Sequence, residues 1–134
     1  VGSITHSGPQ CVVALARAST FRAVGLDLEP DAPVKDGLDR LVCRDEERPF
    51  LLATSDPTER GRRCRVVFSV KEAVYKAFYP ATRRVWGFQE VCVTIDLANE
   101  AFVAQLPPDA GPAEIAGRVH RRRGWILAGV ALRG

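Results

Sequence analysis

Apolar residues arrive along this chain in two rhythms. Short blocks with polar interruptions occupy both ends, and a helical spacing occupies the middle. The runs CVVALARA (residues 11–18) and FRAVGLDLE (residues 21–29) predict two strands, joined by Ser19 and Thr20 as a hairpin. Pro30 and the EPDAP cluster end the second strand. The segment VKDGLDRLVCRDEERPFLLATS reads as helical, with Asp45 as N-cap of a second helix and Glu46 and Glu47 in its first turn. DPTERGRRCR reads as a loop. From Val67 onward Val70, Val74, Ala77 and Phe78 recur at i, i+4, i+7 and i+8, which predicts the core stripe of a helix ending at Pro80. QEVCVTIDL, AFVAQL and GWILAGVAL then predict three strands, the first two split by an ANE turn. AEIAGRVHR fits a strand or a short helix, and the opening VGSITHSG reads as a polar N-terminal segment. Helices between groups of strands predict an α+β fold, an antiparallel sheet packed against helices.

Size and composition keep that picture and narrow the setting. The chain has 134 residues, 46% hydrophobic and 26% charged, which suits a single soluble domain. No apolar run nears the roughly 20 residues of a membrane span, and no signal-peptide pattern is visible. Methionine is absent, the first position included, so the expectation is a processed piece or the end of something longer. Cys11, Cys43, Cys64 and Cys92 never form a C-x-x-C pair and are expected to be buried, reduced thiols in a cytoplasmic protein. The net charge of +3 is mild. Arginine clusters in RGRRCR (residues 60–65) and in HRRRG (residues 120–124), as solvated loops or as a surface for an acidic partner or a phosphate. Few aromatic residues interleave them, so no nucleic-acid partner is expected.

The candidate chemistry lies on one strand and one helix. Side chains alternate along VGLDLEP, which puts Asp27 and Glu29 on one face. Adjacent carboxylates repel, and a cation between them would relieve that; two solvated acids on a half-exposed strand are the plainer alternative. On the helix Glu72 and Lys76 stand at i, i+4 with Lys71 beside them, as a surface pair or as part of a site. The chain has three lysines against sixteen arginines, and two of the three are here. An ammonium is a compact charge able to approach one phosphate oxygen, which a planar guanidinium replaces poorly. Three carboxylates and two ammonium groups describe a site for Mg²⁺ and a phosphate ester. Ser3, Thr5, His6 and Ser7 add hydroxyls and an imidazole that suit a phosphate group, or belong to a polar tail. There is no G-x-S-x-G elbow, and His120 is remote in sequence, so a serine hydrolase is not indicated.

GSITH, then GLDLE about twenty residues later, then FSVKEAVYKA some forty residues beyond, resembles the three-part signature of the 4'-phosphopantetheinyl transferase superfamily, in its Sfp/EntD form. The resemblance implies transfer of the 4'-phosphopantetheine group of coenzyme A to a serine of an apo acyl, peptidyl or aryl carrier protein. Adenosine 3',5'-bisphosphate is released, in the service of polyketide, nonribosomal peptide or siderophore biosynthesis. By motif position Asp27, Glu29 and Glu72 would hold Mg²⁺, with Mn²⁺ as an alternative, and Glu72 would act as general base. Lys71 and Lys76 would contact the coenzyme A phosphates and stabilise the leaving group, Lys76 being the catalytic one with Glu72. Ser3, Thr5 and His6 would touch phosphate, and Glu47 or Glu46 would tether the helix lysine. The resemblance further implies one half of a pseudo-dimeric fold, with most of the N-terminal half outside this sequence or replaced by self-association. Val34, Leu38, Leu41 and Val42 would form a docking surface for the carrier or belong to the core. The competing readings are a non-catalytic half or scaffold, and an arginine-rich binding module.

Overall fold

The computed structural model describes all 134 residues. Seven strands and three α-helices follow in order: β1 (Gly2–Ser7), β2 (Gln10–Leu15), β3 (Phe21–Pro30), α1 (Leu38–Val42), α2 (Arg48–Leu52), α3 (Pro57–Thr82), β4 (Cys92–Asp96), β5 (Ala101–Gln105), β6 (Glu114–Arg122) and β7 (Trp125–Arg133). Strands β3-β7-β6-β5-β4 form one antiparallel sheet, and β1 and β2 form a separate hairpin. This is the expected α+β architecture. No helix is long and apolar enough to cross a membrane.

Several elements differ from the sequence expectation. β2 pairs with β1 through the Gly8-Pro9 turn, where Gly8 takes φ 53°, a region open to glycine. β3 pairs with β7, ninety or more residues away in sequence, and the turn from Arg17 to Phe21 only carries the chain across. The DPTERGRRCR segment is not a loop but the start of α3: Asp56 accepts from Thr58 N at 3.0 Å as N-cap, and Pro57 stands at the first helical position. Pro80 lies inside the last turn, and α3 ends two residues later, where Arg83 takes a left-handed conformation. The expected long helix before α3 is cut into α1, a 3-10 turn over Asp45–Glu47, and α2. Glu47, rather than Asp45, closes that 3-10 turn by accepting from Arg44 N. Residues 114–122 are a strand.

The core lies between α3 and one sheet face. Val66, Val67, Val70, Val74, Ala77 and Phe78 of α3 meet Ile126, Ala128 and Val130 of β7, Val119 of β6, and Phe102 and Ala104 of β5. The closest approach is at β3. A Cβ at Gly25 would overlap the carbonyl oxygen of Ala73 and stand 2.9 Å from Ala77 Cβ. Glycine there lets the strand backbone lie directly on the helix. The arginine clusters are tied to the fold in part, while Arg122 and Arg123 stay exposed. Arg121 of β6 bonds Glu59 of α3 at 2.6 Å and Asp31 at 3.1 Å, and Arg63 reaches Phe50 O at 2.9 Å. Of the cysteines, all unpaired, Cys43 and Cys64 are buried, Cys92 is half-buried and Cys11 is exposed, which corrects the expectation for Cys11.

Gly25→Ala is expected to lower stability by about 1–3 kcal/mol, because neither contacting atom is a flexible side-chain end. Urea denaturation against the parent chain measures it; an unchanged midpoint would mean that the strand and helix are not held at this distance.

Candidate active site

The crossing of β3 and α3 brings Asp27 over three residues spaced along one helix face: Ser69, Glu72 and Lys76. Asp27 is buried, and both of its oxygens are engaged. Ser69 Oγ donates to Oδ2 at 3.0 Å, and Lys76 Nζ donates to Oδ1 at 2.8 Å and to Leu26 O at 3.2 Å. Glu29, two residues along the strand, accepts from Arg65 at 3.4 Å. Arg65 also donates to Ala32 O at 2.8 Å and Pro33 O at 3.3 Å, so it fastens the segment after β3 to the helix.

Glu72 is different. It is half-buried and has neither a hydrogen-bond nor an ion-pair partner within the protein. Burial raises its carboxyl pKa above the ordinary value, the charge of Asp27 raises it further, Lys76 opposes the rise and Glu29 adds to it. Glu29 is also raised, first by burial and then by Asp27, with Arg65 and Lys76 opposing. Glu29 and Glu72 are thus both held above their ordinary values, first by burial and then by the charge of Asp27. As the side chains stand, no three His, Cys, Asp or Glu residues form a closed metal-binding group. The donor set still fits a hard divalent ion: all three are carboxylates, and the one without a partner sits beside the one held by a lysine.

Lys71 is placed elsewhere. It is 3% exposed, and its ammonium donates to Glu47 Oε1 at 2.7 Å, Val42 O at 2.8 Å and Phe88 O at 2.8 Å. All three of its protons are committed to protein acceptors, which makes it an internal strut in this structure. The second oxygen of Glu47 accepts from Val93 N at 2.7 Å, which ties β4 to the same pair. Of the two acids expected to tether the lysine, Glu47 does so, while Glu46 pairs with Arg44.

The opening segment splits by strand alternation. Ser3 Oγ accepts from Leu26 N at 3.0 Å and Thr5 Oγ1 from Leu28 N at 3.1 Å, so both hydroxyls lie against the outer edge of β3 on either side of Asp27. His6 points the other way and is exposed. The structure thus turns Ser3 and Thr5 toward the strand that carries the acids, and His6 away from it. A cleft of about 300 Å³ opens beside Glu72, walled by Tyr75, Val85, Trp86, Phe88 and Val91.

Sequence reasoning missed Ser69 and Arg65. The signal for Ser69 was present as a lone hydroxyl within the apolar stripe of α3, seven residues before Lys76. Nothing local marked Arg65 among the neighbouring arginines.

Comparison with known proteins settles the family. The profile of the 4'-phosphopantetheinyl transferase superfamily matches residues 23–129, which takes in most of β3, all of α3, β4, β5 and β6, and the first half of β7. The chain belongs to the 4'-phosphopantetheinyl transferase superfamily. It is 36% identical over 99 residues to the 4'-phosphopantetheinyl transferase Npt of Nocardia iowensis, covering 74% of this chain and 43% of that protein. It is 35% identical over 106 residues to Svp of Streptomyces mobaraensis, 79% of this chain and 43% of that protein. PptT of Mycobacterium tuberculosis is 29% identical over 142 residues, 98% of this chain and 62% of that protein. This superfamily member thus spans roughly half the length of the curated relatives it matches.

Lys71→Met is expected to destabilise this superfamily member by about 3–5 kcal/mol, since it leaves Glu47 charged and buried. Adding Glu47→Gln should recover part of the loss, and urea denaturation of both variants checks it. A second expectation concerns pH. A carboxyl whose folded pKa is raised contributes stability below its ordinary value of 4.5, and that contribution is lost as pH rises through the folded value. Glu72→Gln should therefore melt higher than the parent at about pH 7 in EDTA, with the gap closing as pH falls to about 4. A gap that widens on acidification would show that Glu72 is not the strained group.

Proposed function

We propose that this chain carries the carboxylate-and-lysine portion of a 4'-phosphopantetheinyl transferase of the Sfp/EntD form. The observation that supports this most is the unpartnered, half-buried Glu72 beside the Asp27–Lys76 pair. In the proposed reaction the hydroxyl of a carrier-protein serine attacks the β-phosphorus of coenzyme A. A new P–O bond to serine forms, the bond from that phosphorus to the bridging oxygen breaks, and adenosine 3',5'-bisphosphate leaves. Glu72, a carboxylate with no partner inside the protein, takes the serine proton. Lys76 offers positive charge to the leaving phosphate, and Ser69 holds the Asp27 carboxyl in place.

Asp27, Glu29 and Glu72 would hold Mg²⁺. The chemistry that ion supplies when bound is neutralisation of the diphosphate and of the charge developing on the leaving oxygen. The cleft walled by Tyr75, Trp86 and Phe88 opens next to Glu72 and is apolar enough for the pantetheine arm. Leu38 and Leu41 are exposed on α1, and we assign them to docking of a carrier helix through its apolar side chains. Val42 is buried and Val34 packs on the core, so they are not part of that surface. The remaining contacts to coenzyme A would come from a second unit, either the rest of a longer protein or another copy of this chain. Four unpaired cysteines are in keeping with a cytoplasmic setting.

The test is transfer itself. With coenzyme A, Mg²⁺ and an apo carrier protein, mass spectrometry should show the carrier gaining one phosphopantetheine. Asp27→Asn and Glu72→Gln should each lower the rate by about 10²-fold or more. Undiminished transfer in both variants would remove the site assignment.

A further inference from the structure

The two site lysines are held in opposite ways. Lys71 is enclosed, with its three protons given to three acceptors. Lys76 has only two acceptors, Asp27 Oδ1 at 2.8 Å and Leu26 O at 3.2 Å, and its side chain is 28% exposed against 6% for Asp27. One of its three donors is therefore unused, and its head group lies at the rim of the site. Its main anion is the carboxylate that stands first among the proposed metal ligands. An ammonium and a divalent ion on the same carboxylate repel, and the oxygen that Lys76 occupies must be shared or given up.

We infer that Lys76 couples the binding of the divalent ion to that of the diphosphate. Alone, its ammonium opposes a divalent ion at Asp27. A diphosphate ester gives that ammonium another anion, so the carboxylate is released to the ion. By linkage, the factor by which the diphosphate tightens the ion is the factor by which the ion tightens the diphosphate. This rests on the reading of Asp27 as a metal ligand. It also gives a reason for lysine in a chain with sixteen arginines. A guanidinium would grip the carboxylate with two parallel bonds and compete with Ser69 for it, whereas an ammonium on a flexible stem can change partners by rotation. Lys76 is in this sense a positioning residue for the ion as well as a phosphate contact.

A Mn²⁺ titration followed by the electron paramagnetic resonance of the free ion tests this without reference to turnover. It is run with and without coenzyme A, after subtraction of the Mn²⁺ that coenzyme A binds in protein-free solution. Lys76→Gln should bind Mn²⁺ about tenfold or more tightly than the parent when no coenzyme A is present, the scale of one charge-assisted hydrogen bond no longer surrendered. Lys76→Arg, which keeps the charge, should stay as weak as the parent or weaker. In the parent, coenzyme A should tighten Mn²⁺ by at least about fivefold, and in Lys76→Gln by much less. Equal Mn²⁺ affinity in parent and Lys76→Gln, with the ion bound, would overturn the inference and leave the metal site standing. An absence of coupling in the parent, which needs no variant, would overturn it as well. If neither protein holds Mn²⁺ even with coenzyme A, the metal reading itself falls.

Discussion

Everything at this site depends on how closely one strand can lie on one helix. Gly25 has no Cβ, and the backbone of β3 meets α3 at Ala73 and Ala77. Asp27 is two residues further on the same strand face, about 6–7 Å along. Ser69, Glu72 and Lys76 flank the contact on the helix at spacings of three and four, one face of two turns. A side chain at Gly25 would lift the strand and separate the carboxyl from all three. The chemistry is thus set by a packing constraint made of three small residues, none of which has a reactive group.

Around that crossing the fold distributes cations by rigidity. Guanidinium groups lock the periphery: Arg121 bridges Asp31 and Glu59, Arg65 fastens the segment after β3, and Arg63 holds α2 to α3. Lys71 is as fixed as any of them, because burial leaves its charge no alternative to Glu47 and two carbonyls. Lys76 keeps both a carboxylate partner and access to solvent, without the backbone carbonyl anchors beyond β3 that hold Arg65. The contrast between two lysines five residues apart on one helix follows from helix geometry: they lie on different faces, one turned to Val42, Glu47 and Phe88 and the other to β3.

The elements legible in the sequence were those whose periodicity reports a single buried face. The stripe from Val70 to Phe78 marked α3, and alternation in β3 put Asp27 and Glu29 together before any geometry was known. Pairing partners were not legible. β3 and β7 meet across the whole length of the domain, and nothing local in FRAVGLDLE distinguishes that neighbour from β2. The opening segment did alternate, with Ser3 and Thr5 on one face and Ile4 and His6 on the other, but its apolar content was too low to mark a strand. The start of α3 was hidden by its arginines and by Gly61, whose place in a helix is explained only by Pro33: a Cβ there would stand 2.5 Å from the proline ring. Lys71 shows the limit most clearly, since a lysine in a motif reads as exposed until the acid that buries it, 24 residues away, is in place.

The outer edge of β3 is closed in an unusual way. The amides of Leu26 and Leu28 donate to hydroxyls of Ser3 and Thr5 rather than to a neighbouring backbone. Two side chains, not a ladder, therefore carry the hydrogen bonds between the hairpin and the sheet. The amides on both sides of Asp27 thus depend on two hydroxyls of another element, and removing either one would leave a backbone donor beside that carboxyl without its acceptor.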